Sequence, residues 1–258
     1  MIARLLRGPA ASRALSRLEH PEAIALAVFL AIVAAIGWLA SPFWLAVAIG
    51  VQLAVGGLGA VWLIGSSQPG LGFARYATFA SAAVALTLFG RLLMPNAGLL
   101  LAPVAALLLW AVLRIELEVS RTRESSVVLD LALVAIVFAT TAGIGRLVPR
   151  DAWPPGLVLV LLAAAIPAMR AAEARGRSGA EAVGQAALHL VAIGQVGTAL
   201  TLLRLPGVVG AAILALAFHA WSGAAEALDG GASARSVLIE FGALGVLGVV
   251  VALLLHGS

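Results

Sequence analysis

The chain has 258 residues, 62% of them hydrophobic and only 11% charged, with a formal charge of +4, no cysteine and no lysine. Ordinary soluble domains carry about 25% charged residues, so this composition excludes a soluble globular protein and points to a bilayer as the solvent. The missing cysteine excludes disulfides, thiolate nucleophiles and Cys-ligated metals, and the missing lysine excludes Schiff-base chemistry.

Residues 1–22 form the first unit, a basic segment with Arg4, Arg7, Arg13 and Arg17 ahead of the first apolar run. Leu5, Leu6, Leu15 and Leu18 interleave with these arginines, which allows a short amphipathic helix on anionic headgroups. The basic region is long and a full-length apolar run follows at once, so the segment reads as retained rather than as a cleaved signal.

Residues 23–258 form a single transmembrane domain with about nine runs of roughly twenty apolar residues, the length a helix needs to cross a bilayer. Spans are expected at Ala23 to Ala40, Phe43 to Ile64, Phe73 to Met94, Gly98 to Leu117, Val127 to Val148, Gly156 to Met169, Ala182 to Leu203, Gly207 to Leu228 and Ser236 to Leu255. Ser41-Pro42, Gln68-Pro69-Gly70, Pro95-Asn96, Pro154-Pro155, Pro206-Gly207 and Asp229-Gly230-Gly231 punctuate the gaps. The sixth run is the shortest and holds Pro167, leaving the count at eight to nine. The fold class is all-α, a polytopic transmembrane helical bundle.

Charge sets the expected orientation. With the N-terminus in the cytoplasm, Arg4, Arg7, Arg13, Arg17, Arg75, Arg114, Arg121, Arg123, Arg170, Arg175, Arg177 and Arg235 fall inside, and Arg91, Arg146, Arg150 and Arg204 outside. An odd number of spans then places the C-terminus outside. The basic residues flank membrane spans instead of covering a polar face, so no nucleic-acid partner is expected. All-arginine usage points to a GC-rich bacterial genome and hence to the cytoplasmic (inner) membrane.

Polar residues gather on the seventh and eighth spans. Glu181, Gln185 and His189 recur every four residues, and His219, Ser222, Glu226 and Asp229 share one face of the next span. If the two helices pack side by side, Glu181 lies level with Glu226, Gln185 with Ser222 and His189 with His219, the imidazoles roughly 10 to 12 Å below the interface. Glu240 and Asp130 are similarly shallow, so these groups would form a cytoplasm-facing polar vestibule of Asp130, Glu181, Gln185, His189, His219, Ser222, Glu226 and Glu240. Such a ladder suits proton relay or cation binding, but solvated headgroup contacts and hydrogen bonds across helices account for it more simply. Neutral imidazoles at one depth on facing helices would also satisfy axial ligation of a b-type haem by His189 and His219. At mid-depth only Gln52, Thr140, Thr141 and Gln195 offer polarity.

Catalytic signatures are absent. Asp229-Gly230 with Ala234-Arg235 resembles the opening of the CDP-alcohol phosphotransferase signature, but the spacing is one residue too long and the later aspartates are missing. Ala220-Trp221-Ser222-Gly223 resembles a rhomboid serine motif without its preceding glycine, and no HExxH, Walker or GxGxxG pattern occurs. Glycine-rich faces, including Gly56, Gly57 and Gly59, Gly143 and Gly145, and Gly242, Gly245 and Gly248, allow close helix approach. The expected role is therefore a non-catalytic subunit or partner-binding component of a membrane complex, with other membrane subunits or a homo-oligomer as partners besides the lipid bilayer. A small-solute or proton-coupled transporter is the alternative, and a haem or other intramembrane redox protein the third.

Overall fold

The computed structural model describes residues 21–65, 72–122, 127–148, 153–203 and 207–256. Every regular element among them is helical: α1 Pro21–Leu39, α2 Pro42–Ile64, α3 Ala74–Ala97, a 3-10 turn Gly98–Leu100, α4 Leu101–Thr122, α5 Val127–Leu147, α6 Trp153–Ala174, α7 Gly179–Leu203, α8 Gly207–Asp229 and α9 Ala234–His256. Among the described residues eight helices, α1 to α8, are long and apolar enough to cross a membrane. The expected ninth crossing is a helix of 23 residues, α9, on the edge of the bundle against α8. This is a multi-pass membrane protein. Arg4, Arg7, Arg13 and Arg17, with most of the basic N-terminal segment, lie outside the described residues.

The boundaries depart from expectation in three places. The third apolar span ends at Pro95, within a residue of expectation, but the helix α3 runs on to Ala97, and the chain turns at Gly98, whose φ of 58° a side chain would oppose. The fourth helix continues past Leu117 to Thr122, and the sixth runs from Trp153 to Ala174 with Pro167 inside it. Membrane helices tolerate an internal proline because neighbouring groups satisfy the freed carbonyl. These extensions carry Glu116 and Arg170 inside their helices instead of at the ends.

Consecutive helices run antiparallel, as their contacts show: Gly59 of α2 faces Leu26 of α1, Gly194 and Gly197 of α7 face Leu161 and Leu157 of α6, and Gly248 of α9 faces Leu216 of α8. The connections after α2, α4, α6 and α8 therefore share one end of the bundle, hereafter the arginine-rich end. The most enclosed helix is α3, packed against α1, α2, α4, α5 and α6. Its buried Ala77, Ala80, Ala82, Ala83 and Ala85 explain this, since small side chains let five neighbours approach. The closest approach is to α5, where a Cβ on Gly143 would lie 2.6 Å from the Leu88 backbone carbon. One apolar core is built around Leu30, Trp38, Phe79, Leu109 and Leu113, and a second around Leu129, Leu133, Ile193, Leu214 and Phe218.

Candidate functional site: a charged layer at one end of the bundle

The charged residues enclosed by the bundle gather at the arginine-rich end. Glu116 of α4, fully buried, accepts both its oxygens' hydrogen bonds from Arg170 of α6: Nε lies 3.0 Å from Oε1 and from Oε2, and a terminal guanidinium nitrogen lies 2.7 Å from Oε2. Planar guanidinium and carboxylate match in this two-pronged geometry, which a lysine does not reproduce. Removing two charges from water costs several kcal/mol per ion, so the pair persists only because each supplies the other's counter-charge and hydrogen bonds.

One turn beyond Arg170, Glu173 reaches across to the start of α3. Its Oε1 accepts the backbone N–H of Ala74 at 3.0 Å. A carboxylate there meets free N–H groups and the positive end of the helix dipole, so a residue of α6 supplies the N-terminal cap that α3 lacks locally. Gly72 makes this possible, because a Cβ at that position would overlap the Glu173 carboxylate. The guanidinium of buried Arg75 lies over the Tyr76 ring at 4.3 Å and donates to its hydroxyl, and that hydroxyl donates to the Gly65 carbonyl at 3.3 Å. The Glu116–Arg170 pair joins α4 to α6, and Glu173 joins α6 to the start of α3.

Closer to the surface, Arg177 in the α6–α7 connection binds both Glu181 of α7 and Asp229 at the end of α8, the latter at 2.6 Å, and the Nε of Arg175 lies 3.6 Å from Asp229. Hydrogen bonding to Asp229 strengthens the hold of Arg177 on its proton, whereas burial weakens that of Arg175, against the pull of Asp229, Asp130 and Glu226. Asp130, in the first turn of α5, and Glu226, in the last turn of α8, lie within electrostatic range of each other and of Arg175. Of the residues expected to line a vestibule, Asp130, His219 and Glu226 are electrostatic neighbours at this end and Glu181 is held by Arg177, while Arg175 and Arg177 are neighbours that the helical spacing of the acids did not reveal. Gln185 is half-buried, and Glu240 sits exposed on α9.

The two histidines take different roles. His189 is buried, stacks on Phe218 with ring centroids 4.2 Å apart, and places Nε2 3.1 Å from the Phe218 carbonyl oxygen, so the proton is on Nε2. His219 is the next residue on α8, about 100° around the helix from Phe218, and is exposed. The level pairing of His189 with His219 is replaced by stacking on Phe218. That carbonyl is also the acceptor that Ser222, four residues later, would ordinarily use within its own helix. With His189 on it, the Ser222 hydroxyl is 8% exposed and without a partner.

Mid-depth polarity is satisfied internally. Fully buried Gln52 of α2 donates from Nε2 to Thr87 Oγ1 of α3 at 2.7 Å and to the Leu30 carbonyl of α1 at 3.4 Å; Thr87 Oγ1 lies 3.0 Å from both Gln52 Oε1 and the Ala83 carbonyl. Thr140 donates to the Ile136 carbonyl at 2.7 Å, Thr141 is buried, and Gln195 is exposed. Among the described residues no group of three or more His, Asp and Glu is arranged to hold a metal. The chain matches no protein-family model, no curated protein and no solved structure.

Sequence reasoning missed the Glu116–Arg170 pair and the Glu173 cap. Both join helices separated by at least one other in the chain, and no local periodicity encodes such a partnership. The available signal was chemical: Glu116 and Arg170 each sit at the end of an apolar run, where a helix that continues past the run carries the charge inward and requires an opposite charge.

Proposed function

We propose that this chain is a bacterial inner-membrane protein, with its arginine-rich end in the cytoplasm, that acts as a non-catalytic, partner-binding component of a larger membrane assembly. The observation that carries this reading is α9, which packs against α8 and leaves most of its length uncovered, including Glu240, Gly242 and Gly245. Lipid offers no hydrophobic drive for helix association, so open glycines and a carboxylate one and a half turns into an apolar helix are features that a protein neighbour rewards and lipid does not. The mid-depth polar groups supply complementary support. Gln52 and Thr87 are spent on each other, and a transporter's midplane binding site would need them free.

Purification in a gentle detergent followed by native mass spectrometry tests the proposal. Stoichiometric additional chains are expected with the wild type, and fewer with Glu240→Leu or Gly242→Leu. A stable particle of one chain, unchanged by either substitution, would refute it. The same preparation is expected to be colourless, since haem ligation by His189 requires its Nε2 to leave the Phe218 carbonyl.

A further inference from the structure

We infer that the neighbour covering α9 is a second copy of this chain, seated so that Glu240 on α9 of one copy pairs with Arg114 on α4 of the next. This rests on the partner-binding reading and names the partner.

The first support is charge. Glu240 is exposed and makes no hydrogen bond or ion pair among the described residues. Arg114 likewise has no carboxylate there; its guanidinium lies over the Trp110 ring at 4.9 Å, so an aromatic face is what the single chain offers it. Enclosed charges at the same end are matched, Glu116 with Arg170 and Glu173 with the start of α3. An anion and a cation left open on two apolar helices are unfavourable against lipid and stabilise one another in contact.

The second support is position. Helix α4 ends and α9 begins at the arginine-rich end, with Arg114 eight residues before Thr122 and Glu240 six residues after Ala234. At 1.5 Å per residue the two lie about 12 and about 9 Å from that end, level to within one turn. Both flanks are open. Helix α4 packs mainly on α1 and α3, and α9 on α8. Leu107, about 20° around α4 from Arg114, is 65% exposed, and Leu247, about 20° around α9 from Glu240, is 57% exposed. Each leucine lies seven residues deeper than its charged neighbour, so the register that joins the charges also brings the leucines level.

Symmetry decides which flanks meet. Copies in one membrane share its orientation, so a two-fold axis through either flank would set Glu240 against Glu240 or Arg114 against Arg114. Joining the α9 flank to the α4 flank pairs opposite charges instead, a heterologous contact that repeats into a ring or a row.

The test uses the full chain in its membrane and exploits the absence of cysteine. Oxidation of the double variant Leu107→Cys with Leu247→Cys is expected to give dimers and higher multiples, and each single variant only monomers, whereas a mixture of the two single variants gives dimers. Energy transfer between labelled copies in vesicles supplies a second measurement: Glu240→Arg and Arg114→Glu should each weaken self-association at least about tenfold, and mixing the two variants should restore it, because the exchanged charges meet again across the contact. Cross-linking of Leu247→Cys alone, no cross-linking of the double variant, or no recovery on mixing would overturn the inference. In native mass spectrometry, particles holding chains of other masses but never a second copy would overturn it and leave the partner-binding reading standing, while a particle of one chain would overturn both.

Discussion

Replacing Glu116 by leucine should be among the most damaging single changes in this protein, and replacing Arg170 with it should undo most of the damage. The carboxylate is fully buried and takes Arg170 through three contacts of 2.7 to 3.0 Å, so the single variant strands a guanidinium that is itself nearly inaccessible. Breaking one side of a buried pair costs about 3 to 5 kcal/mol, which is about 10² to 10⁴ in the folded-to-unfolded ratio. Replacing both partners by apolar groups of similar volume is often close to neutral, because the desolvation of two charges disappears along with their attraction. Unfolding of Glu116→Leu, Arg170→Met and the double variant in detergent or bicelles therefore completes a double-mutant cycle. A coupling energy of at least about 2 kcal/mol is expected, with the double variant more stable than either single one. Additive losses, or single variants as stable as the wild type, would refute the reasoning and mark the pair as solvated.

Three further outcomes follow from the packing. Gly143→Ala should destabilise by about 1 to 3 kcal/mol, because the new methyl meets the Leu88 backbone and not a movable side-chain tip; urea or thermal unfolding reads it. Gly72→Ala should displace Glu173 from the start of α3 and cost about 1 kcal/mol, seen as faster hydrogen exchange at Ala74, and the same variant in a Glu173→Ala background should cost less. Gln52→Leu should cost about 0.6 to 2 kcal/mol by the same unfolding assay, with a smaller further loss when Thr87→Val is added, since each is the other's partner.

The crossings were readable in the sequence because apolar run length is a direct consequence of bilayer thickness. The α2 and α5 spans match their apolar runs to within a residue or two. The third apolar span ends at Pro95 as its run predicts, while the helix itself continues two residues further to the turn at Gly98, since a proline in the last turn need not stop a helix whose freed carbonyl finds another donor. The acidic ladder of α7 and α8 was legible as a face, since i, i+4 spacing is local. Its partners were not: Arg177 bridging to Asp229, Glu116 finding Arg170 and Glu173 capping α3 all depend on which helices become neighbours. The His189–His219 pairing misjudged a rotation of about 100° on α8, the angle that depth alone leaves undetermined.

In a multi-pass bundle the helix connections alternate between two faces of the membrane, and the proposed orientation puts Arg175, Arg177, Asp229 and their neighbours on the cytoplasmic one. A chain without cysteine is a clean background for measuring this by labelling. Ser178→Cys and Ser233→Cys at the arginine-rich end, and Ser41→Cys at the other, are each treated in intact cells with a membrane-impermeant maleimide. The prediction is that Ser41→Cys reacts at once, whereas Ser178→Cys and Ser233→Cys react only after the membrane is opened. Labelling of all three positions from the same side would contradict the alternation, and the reverse pattern would contradict the orientation.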